Sequence, residues 1–337
     1  MNSRSSLAVW NVKASDFPKN GKMESKLKFL IRYAILAPSG HNSQPWKFKL
    51  SDDSIEVWPD FERKRNVVDP ENRELYISLG CAAKNIEIAA NCWGMMYDKT
   101  YRIEEKDGLG VIIFKFKNGV KDGCDRELFE AIQKRQTNRG EYEIRPLDKE
   151  IKMPSGEEVN TKMIRDKVQK KELSELIYTS NKVWFKTKEL VEELDYWLQD
   201  DIKSGSDGVP TGALNIYKLA ANVKYFLAKD SEAAVKKAER ERKLAMEASG
   251  LVVIETKMDG VKHWIIAGEI YEELALNLVK NNLAHAFFNT VIELRTQRMK
   301  LAKMLDIKGQ PQMFIRVGYP KEKFVHSSRR GIEEVII

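Results

Sequence analysis

Hydrophobic residues recur along the chain with two different spacings. A spacing of three and four residues predicts amphipathic helices, which lie at residues 23–36, 74–93, 125–134, 264–282 and 290–305. Short apolar or alternating runs predict strands, at residues 46–50, 54–58, 110–116, 251–255 and 312–318. A long helical region follows the polar stretch 135–140, and it is broken at residues 204–210. Both halves of the chain therefore contain helices and strands.

Two of the predicted helices resemble each other. Residues 80–88 and 268–276 each begin with glycine and continue as an apolar helix, and each helix is followed by a hydrophobic strand. Buried helices often look alike, so the similarity alone does not establish a repeat. A true duplication would place two similar halves around a pseudo-twofold axis. Its boundary would lie near residues 119–124.

Length and composition exclude several protein classes. The chain has 337 residues, enough for about two domains or one elaborate domain. It is 42% hydrophobic and 32% charged, as expected for a soluble globular protein and not for a disordered, collagen-like or disulfide-rich chain. No apolar run approaches the ~20 residues of a membrane helix, and residues 1–22 lack the apolar core of a secretory signal. We expect no membrane partner.

The chain is modestly basic, with 57 Lys and Arg against 50 Asp and Glu and a net charge of +7. Such an excess suits nucleic acid, acidic lipid or an anionic small molecule. No nucleic-acid motif is present, so we expect no nucleic-acid partner. The basic run at residues 235–243 lies on a predicted helix and is interpreted as a solvated face, with a mobile lid or partner surface as the alternative.

Cysteine and histidine do not form a metal-binding pattern. The three cysteines, Cys81, Cys92 and Cys124, are an odd number without metal-type spacing. A reducing cytoplasm is the simplest location for such a chain, and Cys81 and Cys92 are expected to be small buried residues. None of the four histidines is spaced to pair with another or with a cysteine. No metal site is predicted.

The segment richest in chemical groups is APSGHNSQPW, residues 37–46, between a predicted helix and a predicted strand. Its small residues allow close approach of the backbone to a ligand. Ser39, Asn42 and Gln44 supply donors and acceptors on a turn bounded by prolines. Such a loop suits a flat polar heterocycle. An ordinary turn with an Asn cap is the alternative, but it does not explain why so many specific residues occur together.

This loop resembles the flavin-binding loop of the FMN-dependent nitroreductase superfamily, whose pattern is A-P-S-x-x-N-x-Q-P-W. Residues 135–139 (RQTNR) resemble its R-x-S-x-R/K motif, with Thr137 in place of Ser, and residues 327–330 (SSRR) resemble its basic C-terminal segment. The resemblance is closest to the long, Acg-like branch and extends over nearly the whole chain. The segments ASDFP, VVDPENREL, DGVP, NLAHAFFNTVIE and PQMFIRVGYP also resemble that branch.

The order of the motifs implies a fusion. In ordinary members the Arg motif precedes the Asn-Gln loop, and two chains of a homodimer share each FMN site. Here the loop comes first, which implies two half-domains in one chain, residues 1–122 with the loop and residues 123–337 with the RQTNR motif, a helical insert and SSRR. The implied fold is α+β, a nitroreductase-like α/β/α sandwich with a central, mainly antiparallel sheet, duplicated within one chain. The implied state is a monomer with an internal pseudo-dimer.

The resemblance also implies roles for individual residues. Arg135 and Arg329 would bind the FMN phosphate, Thr137 the phosphate or ribityl, and Arg139 the region of flavin N1 and O2. From the other half, Pro38, Ser39, Gly40 and Asn42 would meet the flavin edge or ribityl, whereas Gln44 either contacts the flavin or braces the loop. Asn289 and Thr290 would lie beside N5. His41 would touch flavin or substrate, or lie in solvent. Gly40, where many relatives have Ser, removes one hydroxyl contact.

The implied activity is that of an FMN-dependent oxidoreductase. NADH or NADPH would reduce the flavin, and a small nitroaromatic or quinone-like acceptor would then reoxidise it in ping-pong order. The flavin performs this chemistry, so no catalytic side chain is named. One alternative is a protein that stores or sequesters FMN behind a lid, with little or no turnover. Another is a structural protein that has lost flavin, although all three binding segments are retained. An open pocket would favour the enzyme.

Overall fold

The structure is a computed structural model that describes residues 7–104, 106–120, 123–199, 206–210, 232–323 and 325–337. The helices that organise it are α1 (Met23–Ala34), α2 (Arg73–Cys92), α3 (Arg126–Lys134), α4 (Lys167–Trp184), α5 (Lys188–Trp197), α6 (Glu232–Glu247), α7 (Val261–Lys280), α8 (Asn289–Glu293) and α9 (Arg295–Met304). The strands are β1 (Trp46–Ser51), β2 (Ser54–Pro59), β3 (Met95–Glu104), β4 (Leu109–Val120), β5 (Val159–Ile164), β6 (Leu198–Gln199), β7 (Val209–Pro210), β8 (Gly250–Thr256), β9 (Ala284–Phe287) and β10 (Gln310–Gly318).

Two antiparallel sheets share one topology. The first has the strand order β1-β2-β4-β3 and the second β5-β8-β10-β9. In each sheet two strands precede a 20-residue helix, α2 or α7, and two strands follow it, the last of which inserts between the others. The predicted α+β class, with mainly antiparallel strands and an internal duplication, is therefore confirmed.

Helices α2 and α7 form the centre of the molecule and touch through two glycines. A Cβ on Gly80 would lie inside van der Waals distance of the Ile265 carbonyl oxygen, and a Cβ on Gly268 would meet the Ile77 carbonyl oxygen in the same way. Each glycine thus contacts the residue three positions before the other. Such reciprocal contacts are those of an isologous interface. The similarity between residues 80–88 and 268–276 is therefore a true repeat.

The second sheet is covered by helices on both faces. Successive side chains of a strand point to opposite faces. Val252 and Ile254 of β8 accordingly join the core that contains α7, whereas Leu251 and Val253 pack in the core formed with α4 and α9. This arrangement is the expected α/β/α sandwich. The boundary proposed near residue 122 stays a prediction.

The structure differs from the predicted elements at several places. Strand β3 was not predicted, because its side chains alternate between exposed and half-buried positions without a continuous apolar run. The helix predicted at residues 290–305 is divided into α8 and α9 by the extended backbone of Leu294. Between residues 140 and 250 the chain includes strand β5 besides helices. The long helical region was predicted to break at residues 204–210, and residues 204 and 205 of that break lie outside the described residues.

The expectation for Cys92 is wrong. Its sulfur forms a disulfide with Cys124, while Cys81 is free and buried. Cys92 is the last residue of α2, and Cys124 lies just before α3, which packs against both central helices. The packing of α3 therefore brings together two cysteines that are well separated in sequence. Within the described part of the chain, no helix is long and apolar enough to cross a membrane.

Candidate active site

A cavity of about 250 Å³ brings the predicted segments together. Its wall contains ten of the predicted site residues: Pro38, Ser39, Gly40, Asn42, Arg135, Thr137, Arg139, Asn289, Thr290 and Arg329. Gln44 does not line it. The first four come from the half that carries α2, and the others from the half that carries α7. The central helices also contribute Ile77, Ser78 and Cys81 from α2 and Tyr271 from α7.

The loop between α1 and β1 has an unusual backbone. His41, Asn42 and Gln44 have φ values of 50°, 55° and 51°, in the left-handed region that costs a non-glycine residue roughly 1–2 kcal/mol. Side chains hold this conformation in place. Ser39 Oγ accepts a hydrogen bond from the Gln44 amide at 2.9 Å, and Asn42 Nδ2 donates to the carbonyl oxygens of Gly208 and Ser328. The loop is therefore rigid before any ligand binds.

Gln44 is fully buried and braces the loop. Its Nε2 donates to the Ser206 carbonyl at 2.7 Å, and its Oε1 accepts from the Arg330 amide at 2.8 Å. Of the two roles expected for Gln44, the structure shows the bracing contacts.

Gly40 makes room for a residue that the sequence analysis missed. A Cβ on Gly40 would lie inside the guanidinium group of Arg65, 2.7 Å from its Nη1. Arg65 is buried and held by Glu74, whose Oε2 lies 2.7 Å from Arg65 Nη2. The Arg65 guanidinium therefore occupies the space that a side chain at position 40 would need.

One end of the cavity contains Arg329, which is buried without a carboxylate partner among the described residues. Its Nη1 donates to Asn42 Oδ1 and to Ser327 Oγ, both at 2.7 Å. Its Nε, although buried, has no hydrogen-bond partner in the described structure. Burial, reinforced by the nearby charge of Arg135, lowers the pKa of Arg329 to about 9. This end of the cavity is therefore cationic, and no carboxylate of the described residues forms an ion pair with Arg329.

Arg135 lies beside Arg329 and is only partly neutralised. Its Nε is 3.5 Å from Oε1 of Glu272, a fully buried residue of α7. Burial raises the pKa of Glu272 to about 7, even though Arg135 favours the ionised carboxylate. Near neutral pH, Glu272 is thus a weak counter-charge. Trp10 covers this end, stacked on His326 with ring centres 3.9 Å apart and with the Arg329 guanidinium 4.9 Å from its ring.

The cavity wall also contains a second group of cations, Arg139, Arg316 and Lys237. Lys237 forms an ion pair with Glu241, whereas no ion pair to Arg139 or Arg316 is present among the described residues. Burial lowers the pKa of Arg139, and the charge of Arg316 acts in the same direction.

The cavity wall continues into α8 and an apolar patch. Thr290 Oγ1 accepts a hydrogen bond from Asn181 at 3.2 Å. Glu293 lies one helical turn after Asn289 and also faces the cavity. Burial, with a contribution from Glu74, raises the pKa of Glu293 to about 8. Aromatic and aliphatic side chains complete the wall, namely Trp184, Phe185, Leu194 and Val209.

Histidines lie in the wall as neutral groups. His41 is half-buried and lines the cavity, so it is not a solvent-exposed loop residue. Burial, together with the charge of Arg65, lowers its pKa well below the usual value. Burial and Arg135 lower the pKa of His326 to about 4.

Comparison with known proteins finds relatives in the same family that the motifs resemble. No family model matches the chain. It is 22% identical over 319 residues to a Mycobacterium tuberculosis protein with the provisional name NAD(P)H nitroreductase acg, covering 92% of this chain and 94% of that protein. The chain resembles Acg-like nitroreductases over nearly its whole length. A second M. tuberculosis protein, Rv3131, also provisionally named an NAD(P)H nitroreductase, is 28% identical over 121 residues. That match covers 36% of this chain and only about a third of the relative's length, 35%.

Solved structures give weaker comparisons. A nitroreductase with bound FMN from Bacteroides fragilis aligns with 60% of this chain and 95% of its own, at 14% identity and a TM-score of 0.36.

Charged residues occupy the position that the internal symmetry relates to the cavity. Cys81 follows Gly80 and lines the cavity, whereas its counterpart after Gly268 is Glu269. Lys99 Nζ lies 2.8 Å from carboxylate oxygens of both Glu269 and Glu87. Lys84 adds ion pairs to Glu87 and Glu273 at 3.0 and 3.3 Å. Ion pairs therefore occupy the place where a second, symmetry-related site would lie.

Sequence reasoning missed the charged residues that stand outside the family motifs. Arg65, Glu74, Glu293 and Arg316 all line the cavity. Three of them lie in segments already compared with the family, since Glu74 is part of VVDPENREL, Glu293 is the last residue of NLAHAFFNTVIE and Arg316 is part of PQMFIRVGYP. An arginine within an otherwise apolar strand is a signal that could have identified Arg316.

Proposed function

We propose that the protein is an FMN-dependent oxidoreductase of the nitroreductase type. It would take electrons from NADH or NADPH and pass them, in ping-pong order, to a small nitroaromatic or quinone-like acceptor. Similarity to proteins named as NAD(P)H nitroreductases supports an oxidoreductase. The observation that carries the proposal is the convergence of the 37–46 loop, the RQTNR motif and Arg329 on one cavity.

The unpaired donors of the cavity fit FMN. Buried polar groups are normally hydrogen-bonded, so each unsatisfied one requires an explanation. Nε of Arg329 is buried without a hydrogen-bond partner in the described structure, whereas Nε of Arg135 faces only the Glu272 carboxylate, 3.5 Å away. Guanidinium groups match phosphate oxygens in geometry and charge. A dianionic phosphate at this end would compensate the two cations and satisfy the free donor of Arg329.

The chain's own residues would hold and orient the cofactor. Arg135 and Arg329 would bind the phosphate, and the Thr137 hydroxyl the phosphate or ribityl. Asn42, fixed by Arg329 and by two carbonyl groups, keeps the backbone of residues 38–40 against the cavity. When bound, FMN supplies the hydride chemistry that no protein side chain provides.

The remaining wall provides an acceptor region. Trp184, Phe185 and Leu194 offer an apolar surface to a flat acceptor and exclude water. Glu293 holds a proton on its carboxyl group at neutral pH. A positioned acid can deliver that proton to a reduced acceptor. We therefore include Glu293 as the proton donor of the proposed reaction.

A second candidate function is storage of FMN with little turnover. Residues 206–210 are hydrogen-bonded to the loop at residues 37–46. The Gln44 side chain donates to the Ser206 carbonyl, and the Asn42 side chain donates to the Gly208 carbonyl. Arg63 adds an ion pair with Asp207. Val209 of this segment lines the cavity. Such contacts favour retention of a bound cofactor.

The visible absorption spectrum of the purified protein, before and after anaerobic NADPH and NADH, separates these functions. A flavin spectrum that bleaches supports the oxidoreductase. If the flavin spectrum persists with NADPH and NADH but is bleached by dithionite, the bound flavin can be reduced but not by the nicotinamides, and this result supports storage. Absence of flavin binding after addition of FMN would refute both.

We also propose that the protein is a monomer, because both halves of the site lie in one chain. Light scattering that detects only a stable dimer would contradict this. A cytoplasmic location stays a prediction, and the Cys92–Cys124 disulfide counts against the reducing compartment on which it was based.

A further inference from the structure

Arg316 of β10 is a buried arginine with unused donors. Its side chain lines the cavity although only 1% of the residue is exposed. Nη2 donates to the Gly140 carbonyl at 2.7 Å and lies 3.4 Å from the Asn138 carbonyl. The guanidinium carbon is 4.0 Å from the centre of the Tyr142 ring. Nε and Nη1 are buried without a hydrogen-bond partner in the part of the chain that the structure describes.

The hydrogen bonds of Arg316 support the RQTNR motif. Asn138 and Gly140 flank Arg139, so Arg316 holds the backbone on both sides of that residue. The Asn138 amide also donates to the His285 carbonyl at 3.0 Å, on the strand next to β10. The position of Arg139 in the cavity therefore depends on Arg316.

The charge of Arg316 is only partly balanced. Among the described residues, the carboxylate of Glu241 acts on both Arg316 and Arg139, but it is already paired with Lys237 and lies 3.9 Å from Arg240. The charge of Arg316 contributes to the lowered pKa of both Arg139 and His285. Burial of a cation without a counter-charge of its own is costly. The part of the cavity around Arg316 thus favours a ligand group that carries or acquires negative charge.

In the proposed function the phosphate binds Arg135 and Arg329, and Ser327 and His326 also line the cavity. The ring system of a cofactor held in that way would lie elsewhere in the cavity, and the inference places it beside Arg139 and Arg316. The ring of oxidised flavin is neutral, and the two-electron reduced ring is anionic at neutral pH. A cation beside the ring therefore binds the reduced form more tightly than the oxidised form.

We propose that Arg316 is a positioning residue that sets the redox potential of the bound flavin. It fixes Arg139 through the carbonyls of residues 138 and 140, and it adds a second buried positive charge at the ring end of the cavity. The proposal rests on the proposed function. The redox step is balanced by the nicotinamide donor, which gives two electrons and one proton as hydride and is oxidised to NAD(P)⁺.

The test measures the affinity of apoprotein for oxidised and for reduced FMN under anaerobic conditions, with the midpoint potential as a direct check. Arg316→Gln removes the charge, Arg316→Lys keeps it, and Arg102→Gln removes a partly exposed arginine on the other sheet. We expect Arg316→Gln to lose at least a tenfold preference for reduced FMN, equivalent to about 30 mV for a two-electron couple. Arg316→Lys should retain most of the preference, and Arg102→Gln all of it.

Two results would overturn the inference. If Arg316→Gln and Arg316→Lys weaken both redox forms equally, Arg316 supports the loop without setting the potential. If Arg316→Gln reduces the affinity for FMN but not for riboflavin, the phosphate lies at this end instead. Wild-type protein that binds no flavin would refute the proposed function, a result distinct from both. Circular dichroism of each variant confirms that it is folded.

Discussion

Replacement of Arg329 by glutamine tests the assignment of the phosphate end of the cavity. The change removes the buried guanidinium and leaves a neutral amide, so the phosphate would lose charge-assisted hydrogen bonds. Such bonds contribute roughly 1.5–3 kcal/mol each. One lost bond at that strength weakens binding by a factor of about 10 to 150, since about 1.4 kcal/mol is tenfold. Loss of the Arg329 hydrogen bond to Asn42 would add to this effect.

The adjacent residue provides a matched control. Arg330 carries the same charge, but it does not line the cavity. Its Nη2 donates to the Glu334 carbonyl at 2.7 Å, and its Nη1 lies 3.6 Å from Asp60. Arg330→Gln should therefore leave FMN affinity within about threefold of the wild type. Its cost should appear in the free energy of unfolding instead.

Fluorescence titration of apoprotein with FMN and with riboflavin measures the effect. We expect Arg329→Gln to weaken FMN by at least tenfold and riboflavin far less, because riboflavin has no phosphate. Arg135→Ala should weaken FMN as well, but it also leaves the buried Glu272 without its partner and so costs stability. Equal FMN affinities for the Arg329 and Arg330 variants would refute the phosphate assignment.

Three further predictions concern the central helices, the proton donor and the stoichiometry. Gly80→Ala should destabilise the protein by about 3 kcal/mol or more in urea unfolding, because its Cβ would overlap the Ile265 carbonyl. The control Gly156→Ala should be neutral, because there is open space around its Cβ. Helix propensity alone predicts that Gly80→Ala gains stability, and such a gain would contradict the close helix contact. Glu293 is protonated below its pKa of about 8, so the rate of acceptor reduction should fall as pH rises through that value, and Glu293→Gln should be slower and lack this pH dependence. If the rate of the Glu293→Gln variant still falls over the same pH range, Glu293 is not the proton donor. Titration should give one FMN per chain, because ion pairs of Lys84 and Lys99 occupy the symmetry-related position. Two equivalent flavins per chain would show that these ion pairs do not prevent FMN from binding there.

The sequence motifs already identified much of the candidate site. The loop at residues 37–46 and the RQTNR segment are short, and their residue types are dictated by local needs such as close backbone approach and hydrogen-bonding capacity. They could be recognised without knowledge of the fold. The repeat was also visible, because a glycine that allows two helices to touch must be present in both copies.

Other features depend on contacts between residues that are far apart in sequence. Gly40 leaves the space that the Arg65 guanidinium occupies, and Asn42 is held by Gly208, Ser328 and Arg329. The disulfide of Cys92 was missed for the same reason, since spacing alone does not show which loops become neighbours.

The sequence by itself determined which segments come together at the cavity, that two of its helices repeat each other, and most of the helices. Those properties depend on local periodicity and on short motifs. Only the tertiary structure decided the charge balance of the cavity. Whether Arg139, Arg316 and Glu293 are neutralised depends on which groups surround them after folding and on how far burial removes them from water.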